Sequence, residues 1–263
     1  MSVQERKPGP FSEAEGELIV KNRVQAEKRK HKNITELKDI YKGLDIWCVL
    51  AGSSMDYIDP SFFEDKIVIG LNQVYKKFPC HYIVIKDCLE GPRFPRSIEE
   101  LDKLGIPLLF SKYYKGHPPQ KNIANHSNAY YFEHNPRKKG RFKEELKDLK
   151  DDEIYVGKST VTSLMHIAAY MGAKNIILCG HDCGKLDNNN YFKGYMEKDW
   201  KSAENWSPIK DGAWLRVLEP LSQLVREHLI KKYGCNIYSL NPFLNLGLEG
   251  HEYVGPHNSP ENK

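Results

Sequence analysis

Two stretches of this 263-residue chain each run an apolar strand straight into small and polar residues: Val49-Leu50-Ala51-Gly52-Ser53-Ser54-Met55-Asp56 and Ile176-Ile177-Leu178-Cys179-Gly180-His181-Asp182-Cys183. In an open parallel α/β sheet the carboxyl ends of the strands border the ligand crevice. Hydroxyls, a carboxylate and an imidazole at two such ends therefore point to one shared site. Gly52 and Gly180 fit that placement, because a residue without Cβ lets the backbone approach a ligand closely. His181, beside Asp182, is a candidate for acid–base work, since imidazole titrates near neutrality and a strand end can face the crevice. A third wall comes from Ser159-Thr160, which open an apolar helix. The first amides and the positive dipole end of such a helix suit an anion, while capping of the helix by a hydroxyl accounts for the same residue types.

Other polar residues fall at similar places. Asn72 follows the apolar run 66–71, and Asp87 follows the run 81–86. Each is placed either to meet a ligand or to bond its own turn. Lys210 and Asp211 are placed for an acceptor or a phosphate, or form a solvated pair. Tyr191 belongs to a stretch, 187–206, in which Asn188-Asn189-Asn190 is followed by interleaved Tyr, Phe and Trp. Aromatics beside amides suit a sugar or a planar base, and equally the packing of a loop onto the domain. His166 lies within the apolar helix and reads as a satisfied core residue. No Asp-x-Asp motif occurs, so a magnesium-dependent mechanism would have to recruit separated carboxylates such as Asp87 and Asp182. Of the six cysteines, Cys48 and Cys179 lie in strand patterns where a thiol behaves as a small hydrophobe. Cys179-x-x-x-Cys183 lacks a second ligand pair, and neither a disulfide framework nor a zinc site is expected.

The elements that must position these residues are legible in the apolar pattern. Strands are predicted over 45–51, 66–71, 81–86, 107–110, 175–179 and 235–240, with a short helical step over 58–63. Helices are predicted over 159–172, apolar on most faces, and over 212–233, where Leu215, Leu218, Leu221, Leu224, Val225 and Leu229 form one stripe. Near-continuous apolar strands suit a sheet covered on both faces, so the fold class is α/β, a mostly parallel sheet with helices on both faces. Ser12 and Glu15 make a capping-box pattern that opens a Lys- and Glu-rich surface helix reaching about Lys32, and a second short helix is predicted over 34–41, ending at Gly43. Residues 111–152 show no strong periodicity and read as an insertion, either a lid or a long solvated excursion, with 185–210 as a second lid or insertion segment. The organisation expected is an N-terminal helical extension (1–40), one catalytic domain (41–245) and a loose tail (246–263).

Charge and hydropathy narrow the function classes. The formal net charge of +4 is small and sits in local clusters such as Arg137-Lys138-Lys139-Gly140-Arg141, so nucleic acid is not an expected partner. No apolar stretch reaches the roughly 18 residues a bilayer span needs, and the start of the chain lacks the apolar core of a secretory leader. A cytoplasmic location and no transmembrane segment are expected, and a homo-oligomer remains open.

Leu50-Ala51-Gly52-Ser53-Ser54-Met55-Asp56-Tyr57-Ile58-Asp59, Ile69-Gly70-Leu71-Asn72, the Ser159-Thr160 helix start and the run from Gly172 to Asp182 occur in an order that resembles the bacterial sialyltransferases with a single Rossmann-like catalytic domain. The same order is similar to the related clan of 6-hydroxymethylpterin diphosphokinase-like proteins and flagellin-glycosylation accessory factors. The resemblance covers about residues 41–241. It implies that Gly52, Ser53 and Ser54 approach a nucleotide phosphate or ribose, and that Asn72 bonds the ribose or phosphate. It also implies that Asp87 faces the donor, that Ser159 and Thr160 touch the transferred group or its phosphate, and that Gly180 and Asp182 border the base and sugar.

The chain departs from the sialyltransferase pattern in three ways. Its first turn lacks the second glycine and the proline, the stretch 205–211 has no histidine where those enzymes keep a base, and Cys183-Gly184 does not supply their phosphate-binding tyrosine, although Tyr191 and Tyr195 follow. The leading expectation is a transferase for a nucleotide-activated sugar that needs no cofactor, with a glycan or small molecule as acceptor, and with His181, Asp182 and Asp211 as catalytic candidates. Replacing Asp182 by Ala is then expected to abolish donor binding or turnover and leave the fold intact. The alternatives are a diphosphokinase-like enzyme using ATP and Mg²⁺, and a catalytically silent nucleotide- or glycan-binding module.

Overall fold

The structure, a computed structural model, describes residues 31–85, 97–111, 126–134, 142–157, 159–182, 191–195 and 215–240. Among these are nine strands: β1 (Lys32–Asn33), β2 (Asp45–Val49), β3 (Ile67–Leu71), β4 (Tyr82–Ile85), β5 (Leu108–Ser111), β6 (Ala129–His134), β7 (Glu153–Ile154), β8 (Asn175–Cys179) and β9 (Asn236–Leu240). Every pairing is parallel, in the order β1-β6-β5-β4-β3-β2-β8-β9, with β7 pairing the end of β6. The fold is α/β and Rossmann-like. Sequential strands step outward from β2 through β3, β4, β5 and β6, whereas β8 and β9 build on the other side of β2. The chain therefore reverses its direction of travel between β2 and β8, the place where open α/β sheets hold their ligands.

Strand residues alternate between two apolar layers, as a period of two requires. Ile46, Cys48, Ile69, Val84, Ile176 and Leu178 face one layer, and Val49, Val68, Ile83, Ile85, Ile177 and Cys179 face the other. The first layer is covered by α3 (Thr160–Tyr170), by Leu146 of α2 (Phe142–Lys147) and by Leu221, Val225 and Leu229 of α4 (Leu215–Tyr233). The second is covered by shorter pieces: Leu101 of α1 (Ser97–Lys103), Met55 and Phe63 from the 3-10 turns Ser53–Tyr57 and Pro60–Phe63, and Phe78, Phe192 and Tyr195 from connections. Among the described residues no helix is long and apolar enough to cross a membrane.

Helix α3 is the scaffold of the first layer. Every residue from Val161 to Tyr170 is buried, as its apolar character on most faces suggests. Its one internal imidazole is satisfied. His166 Nδ1 accepts from the Tyr155 backbone N–H at 2.8 Å, which leaves the proton on Nε2 to be donated to the Tyr233 hydroxyl at 2.8 Å. The ring thus ties the strand exit after β7, α3 and the end of α4 together, and burial, with Lys232 and His228 nearby, holds its pKa down at about 3. The described cysteines, Cys48, Cys80, Cys179 and Cys235, are free thiols. Burial pushes Cys80 up to about 12 and Cys235 up to about 11, and raises Cys48 and Cys179 as well.

The structure corrects three sequence expectations. The segment 111–152 is not simply an inserted lid: it contains β6, which lies inside the sheet between β5 and β1, with Ala129 and Phe132 buried. Its short aromatic run, Ala129-Tyr130-Tyr131-Phe132, is framed by polar residues, and this hides a strand that only neighbours on both sides make apolar. The helix expected over 34–41 is a single 3-10 turn, Ile34–Leu37, capped by Asn33, with turns leading into β2. Lys32 and Asn33 pair with β6, and Ile34 and Leu37 lie in the core, so the sheet begins ahead of residue 41. The helix expected from Ser12 falls outside the described residues up to residue 30, and its expected end at Lys32 is instead part of β1; the tail after 245 lies outside the described residues.

Acid should loosen this fold through its buried imidazoles. A histidine whose folded pKa is depressed from 6.5 to about 3 binds its proton more readily when unfolded. Stability therefore rises with pH between those values and is lost as pH falls below about 6.5, by up to ~1.4 kcal/mol per pH unit for each such group. Melting temperature measured from pH 7 to pH 4 should drop steadily, and the drop should be smaller in His166→Gln; equal slopes would show that His166 is not the titrating group.

Candidate functional site

The two strand ends meet as their sequences suggest. Val49 is in register with Cys179, and the pairing continues past both strands, with the Leu50 N–H donating to the Cys179 carbonyl at 2.8 Å and the Gly52 N–H to the Gly180 carbonyl at 3.0 Å. One turn later the carboxylate of Asp182 accepts twice from Ser54: Oδ2 from the backbone N–H at 2.8 Å and Oδ1 from the hydroxyl at 2.6 Å. Ser54 and Asp182 are both buried. These bonds to an ionised acceptor are of the short, strong kind and fix the Gly-Ser-Ser turn against the end of β8.

The glycines are required by this junction itself. A Cβ on Gly52 would lie 2.4 Å from both Asp182 Oδ2 and the Gly180 carbonyl, and one on Gly180, whose φ is +74°, would lie 2.6 Å from Met55 Cγ and 2.9 Å from the Leu50 carbonyl. Close approach is the right physical reason for both residues, but the partner they approach is the chain.

A second layer of the site comes from residues 191–195. The Phe192 N–H donates to the Ala51 carbonyl at 3.1 Å, and its ring meets Phe78 edge-on at 5.5 Å. Tyr191 and Tyr195 stack, with ring centroids 5.2 Å apart. Tyr195 is buried and Tyr191 is exposed. Asn72 holds the tight turn after β3 with φ +53°, a region that Asn tolerates better than most residues. Its Nδ2 donates to the Tyr195 hydroxyl at 3.5 Å. Asn72 and Tyr191, far apart in sequence, are thus linked through Tyr195. This part of the second expected lid segment is packed into the apolar layer through Phe192 and Tyr195.

Ser159 and Thr160 are half-buried at the start of α3. Because α3 leads from the carboxyl edge of β7 to the start of β8, its first turn lies on the same edge as Gly52 and Gly180. Ser159 is the N-cap, its Oγ accepting from the Val161 N–H at 3.4 Å, and Thr162 donates its hydroxyl to the Ser159 carbonyl at 2.7 Å while accepting from the Gly157 N–H at 3.2 Å. The hydroxyl cluster at this helix start is therefore at least partly engaged in closing its own turn.

His181 turns away from this junction, against the expectation that it faces the crevice. It is buried, and its Nε2 lies 3.2 Å from Ser222 Oγ on α4. Burial, reinforced by the Arg226 guanidinium, lowers its pKa to about 4, so it is neutral at pH 7 and a weak base there. Ser53 is buried in the 3-10 turn. Asp87, Lys210 and Asp211 lie outside the described residues. The sequence reading missed Asp56, Lys77 and Thr162. Asp56 accepts from Lys77 Nζ at 3.0 Å and, with both carboxylate oxygens, from the Lys193 N–H at 3.0 Å. Only its position just after the Gly-Ser-Ser turn hinted at a role.

No family model matches the chain, and no curated protein matches it. Among solved structures, the sialyltransferase CstII from Campylobacter jejuni in complex with the substrate analogue CMP-3FNeuAc is 17% identical, with a TM-score of 0.48, covering 82% of this chain and 88% of that one. CST-II in complex with trisaccharide acceptor and CMP is 18% identical with a TM-score of 0.46, covering 82% and 88% of the two chains. The monofunctional alpha-2,3-sialyltransferase Cst-I from Campylobacter jejuni is 15% identical with a TM-score of 0.46, covering 84% and 87%.

The Ser54–Asp182 bonds make Asp182 a stability residue, contrary to the expectation that its loss spares the fold. Asp182→Ala should destabilise the chain by about 2–4 kcal/mol, because it leaves a buried N–H and a buried hydroxyl without their acceptor. Gly52→Ala should also destabilise it. Urea denaturation of the variants checks this, and a wild-type midpoint for Asp182→Ala would dismiss the pin.

Proposed function

We propose that this chain is a glycosyltransferase-like enzyme that binds a nucleotide-activated sugar at the carboxyl edge between β2 and β8 and transfers the sugar to a glycan or small-molecule acceptor. The observation that carries the reading is the meeting of Gly52 and Gly180 at the switch point, with the Tyr191–Tyr195 stack joined to Asn72 beside it. The order of motifs along the sequence supports the same reading.

In such a transfer an acceptor hydroxyl forms a bond to the anomeric carbon as the bond from that carbon to the nucleotide phosphate breaks. The nucleotide leaves with the electron pair, and a base removes the hydroxyl proton. Ser53, Asn72, Tyr191, Ser159, Thr160 and, by its position in the sequence, Asp87 are the assigned donor contacts, with Lys210 placed for the phosphate. Gly52, Gly180, Ser54 and Asp182 shape the floor. His181 is neutral and bonded to Ser222, which leaves Asp211 as the assigned base. That bonding of His181 also favours one second reading, a module that binds the nucleotide sugar without turning it over. The diphosphokinase alternative would ask Asp182 to hold Mg²⁺ with a carboxylate already accepting twice from Ser54.

Thermal melting with CMP-, UDP- and GDP-activated sugars, against ATP plus Mg²⁺, tests these readings. A ligand of the native state present at 100 times its Kd stabilises by about 2.7 kcal/mol, a shift of several degrees. One class of nucleotide sugar should raise the melting temperature, with release of free nucleotide on addition of acceptor. A shift without turnover would favour the binding module, a shift by ATP plus Mg²⁺ alone would favour the diphosphokinase, and no shift would overturn all three.

A further inference from the structure

We propose that Asp56 is the positioning residue that fixes the Tyr191–Tyr195 stack over the crevice, its carboxylate accepting from the Lys193 backbone N–H. The assignment rests on the reading of that crevice as a nucleotide-sugar site.

Phe192 is buried against Phe78 at 5.5 Å, and its backbone N–H donates to the Ala51 carbonyl at 3.1 Å, so this residue sets the depth at which the segment enters. Both contacts fall at Phe192, ahead of the turn that carries Tyr195. The Lys193 N–H, one residue further on, is held by both oxygens of Asp56 at 3.0 Å, a three-centre bond to an ionised acceptor that sets the tilt. The Tyr195 N–H then donates to the Phe192 carbonyl at 3.2 Å, a turn that Gly194 makes with φ +84°. Tyr195 is delivered against Tyr191 and within 3.5 Å of Asn72 Nδ2.

The charge on Asp56 is balanced locally. Lys77 Nζ lies 3.0 Å from its Oδ1 and also sits over the rings of Phe78 and Phe192, at 5.3 and 5.1 Å. The Asp56 side chain is only 17% exposed, so the clamp is shielded in a way that ordinary surface ion pairs are not. Asp56 belongs to the 3-10 turn that also carries Ser53 and Ser54, and Ser54 is bonded to Asp182. Floor and tyrosine stack are thereby referred to one rigid turn, as a preorganised site requires.

The test uses the full chain with Asp56→Ala and Asp56→Asn, the second keeping one oxygen acceptor for Lys193. Amide hydrogen exchange followed by mass spectrometry should be about tenfold faster in peptides covering 191–195 in Asp56→Ala, with peptides from β2 and β8 unchanged and Asp56→Asn nearer wild type. With CMP, UDP and GDP as probes, the Kd of the nucleotide that binds wild type should rise about tenfold in Asp56→Ala and recover in Asp56→Asn. Unchanged exchange in 191–195 overturns the clamp, and so does faster exchange with an unchanged affinity for that nucleotide. If wild type takes no nucleotide, the donor reading fails, and the exchange measurement alone still decides whether Asp56 holds the segment.

Discussion

The site rests on one buried carboxylate. Asp182 accepts from the backbone and the side chain of Ser54 and so locks the exit of β2 onto the exit of β8. The lock accompanies the close backbone pairing of Gly52 with Gly180, and it leaves no room for a Cβ on Gly52 beside Asp182. The loops that leave the two strands are held in place by these contacts. Here the bonds that hold them are charge-assisted and shielded from water, where hydrogen bonds are hardest to replace.

The two faces of the sheet are covered in different ways. The face under α3 and α4 is covered by long helices, and the buried imidazole of His166 is held between Tyr155 and Tyr233. The other face is covered by 3-10 turns and the 191–195 segment, and these same pieces carry Ser53, Ser54, Asp56, Tyr191 and Tyr195. Elements that are short and tied down by a few specific bonds can present side chains at the edge without contributing a large core of their own. That is the usual relation between a rigid scaffold and the loops that bear its chemistry.

The described histidines nearest the helical layer are spent on structure. His166 and His181 are both held neutral by burial and are bonded to hydroxyls of α4. A histidine next to an aspartate at a strand end looks like an acid–base pair in sequence, yet successive residues leaving a strand point in opposite directions. Asp182 consequently turns to Ser54 on the β2 side, and its neighbour turns to Ser222 on the helix side.

Local pattern was enough to specify much of this protein. The apolar runs marked β2, β3, β4, β5, β8 and β9, the all-apolar run after Ser159 marked α3, and the small residues at Gly52 and Gly180 marked the edge where the strands converge, because burial on both faces and close backbone approach each demand particular residue types. What those types leave undetermined is the partner. The strand β6 hides among polar neighbours because its apolar character comes from lying between β5 and β1. The glycines announce a close approach without saying that the approaching atoms belong to Asp182 and Gly180 in the case of Gly52, and to Met55 and Leu50 in the case of Gly180. The partner of Asp56 carries no signature, since an aspartate that binds a backbone amide from residue 193 is indistinguishable in sequence from one that faces water. Only tertiary structure decides such pairings, because each depends on which distant segment the sheet order brings within hydrogen-bonding distance.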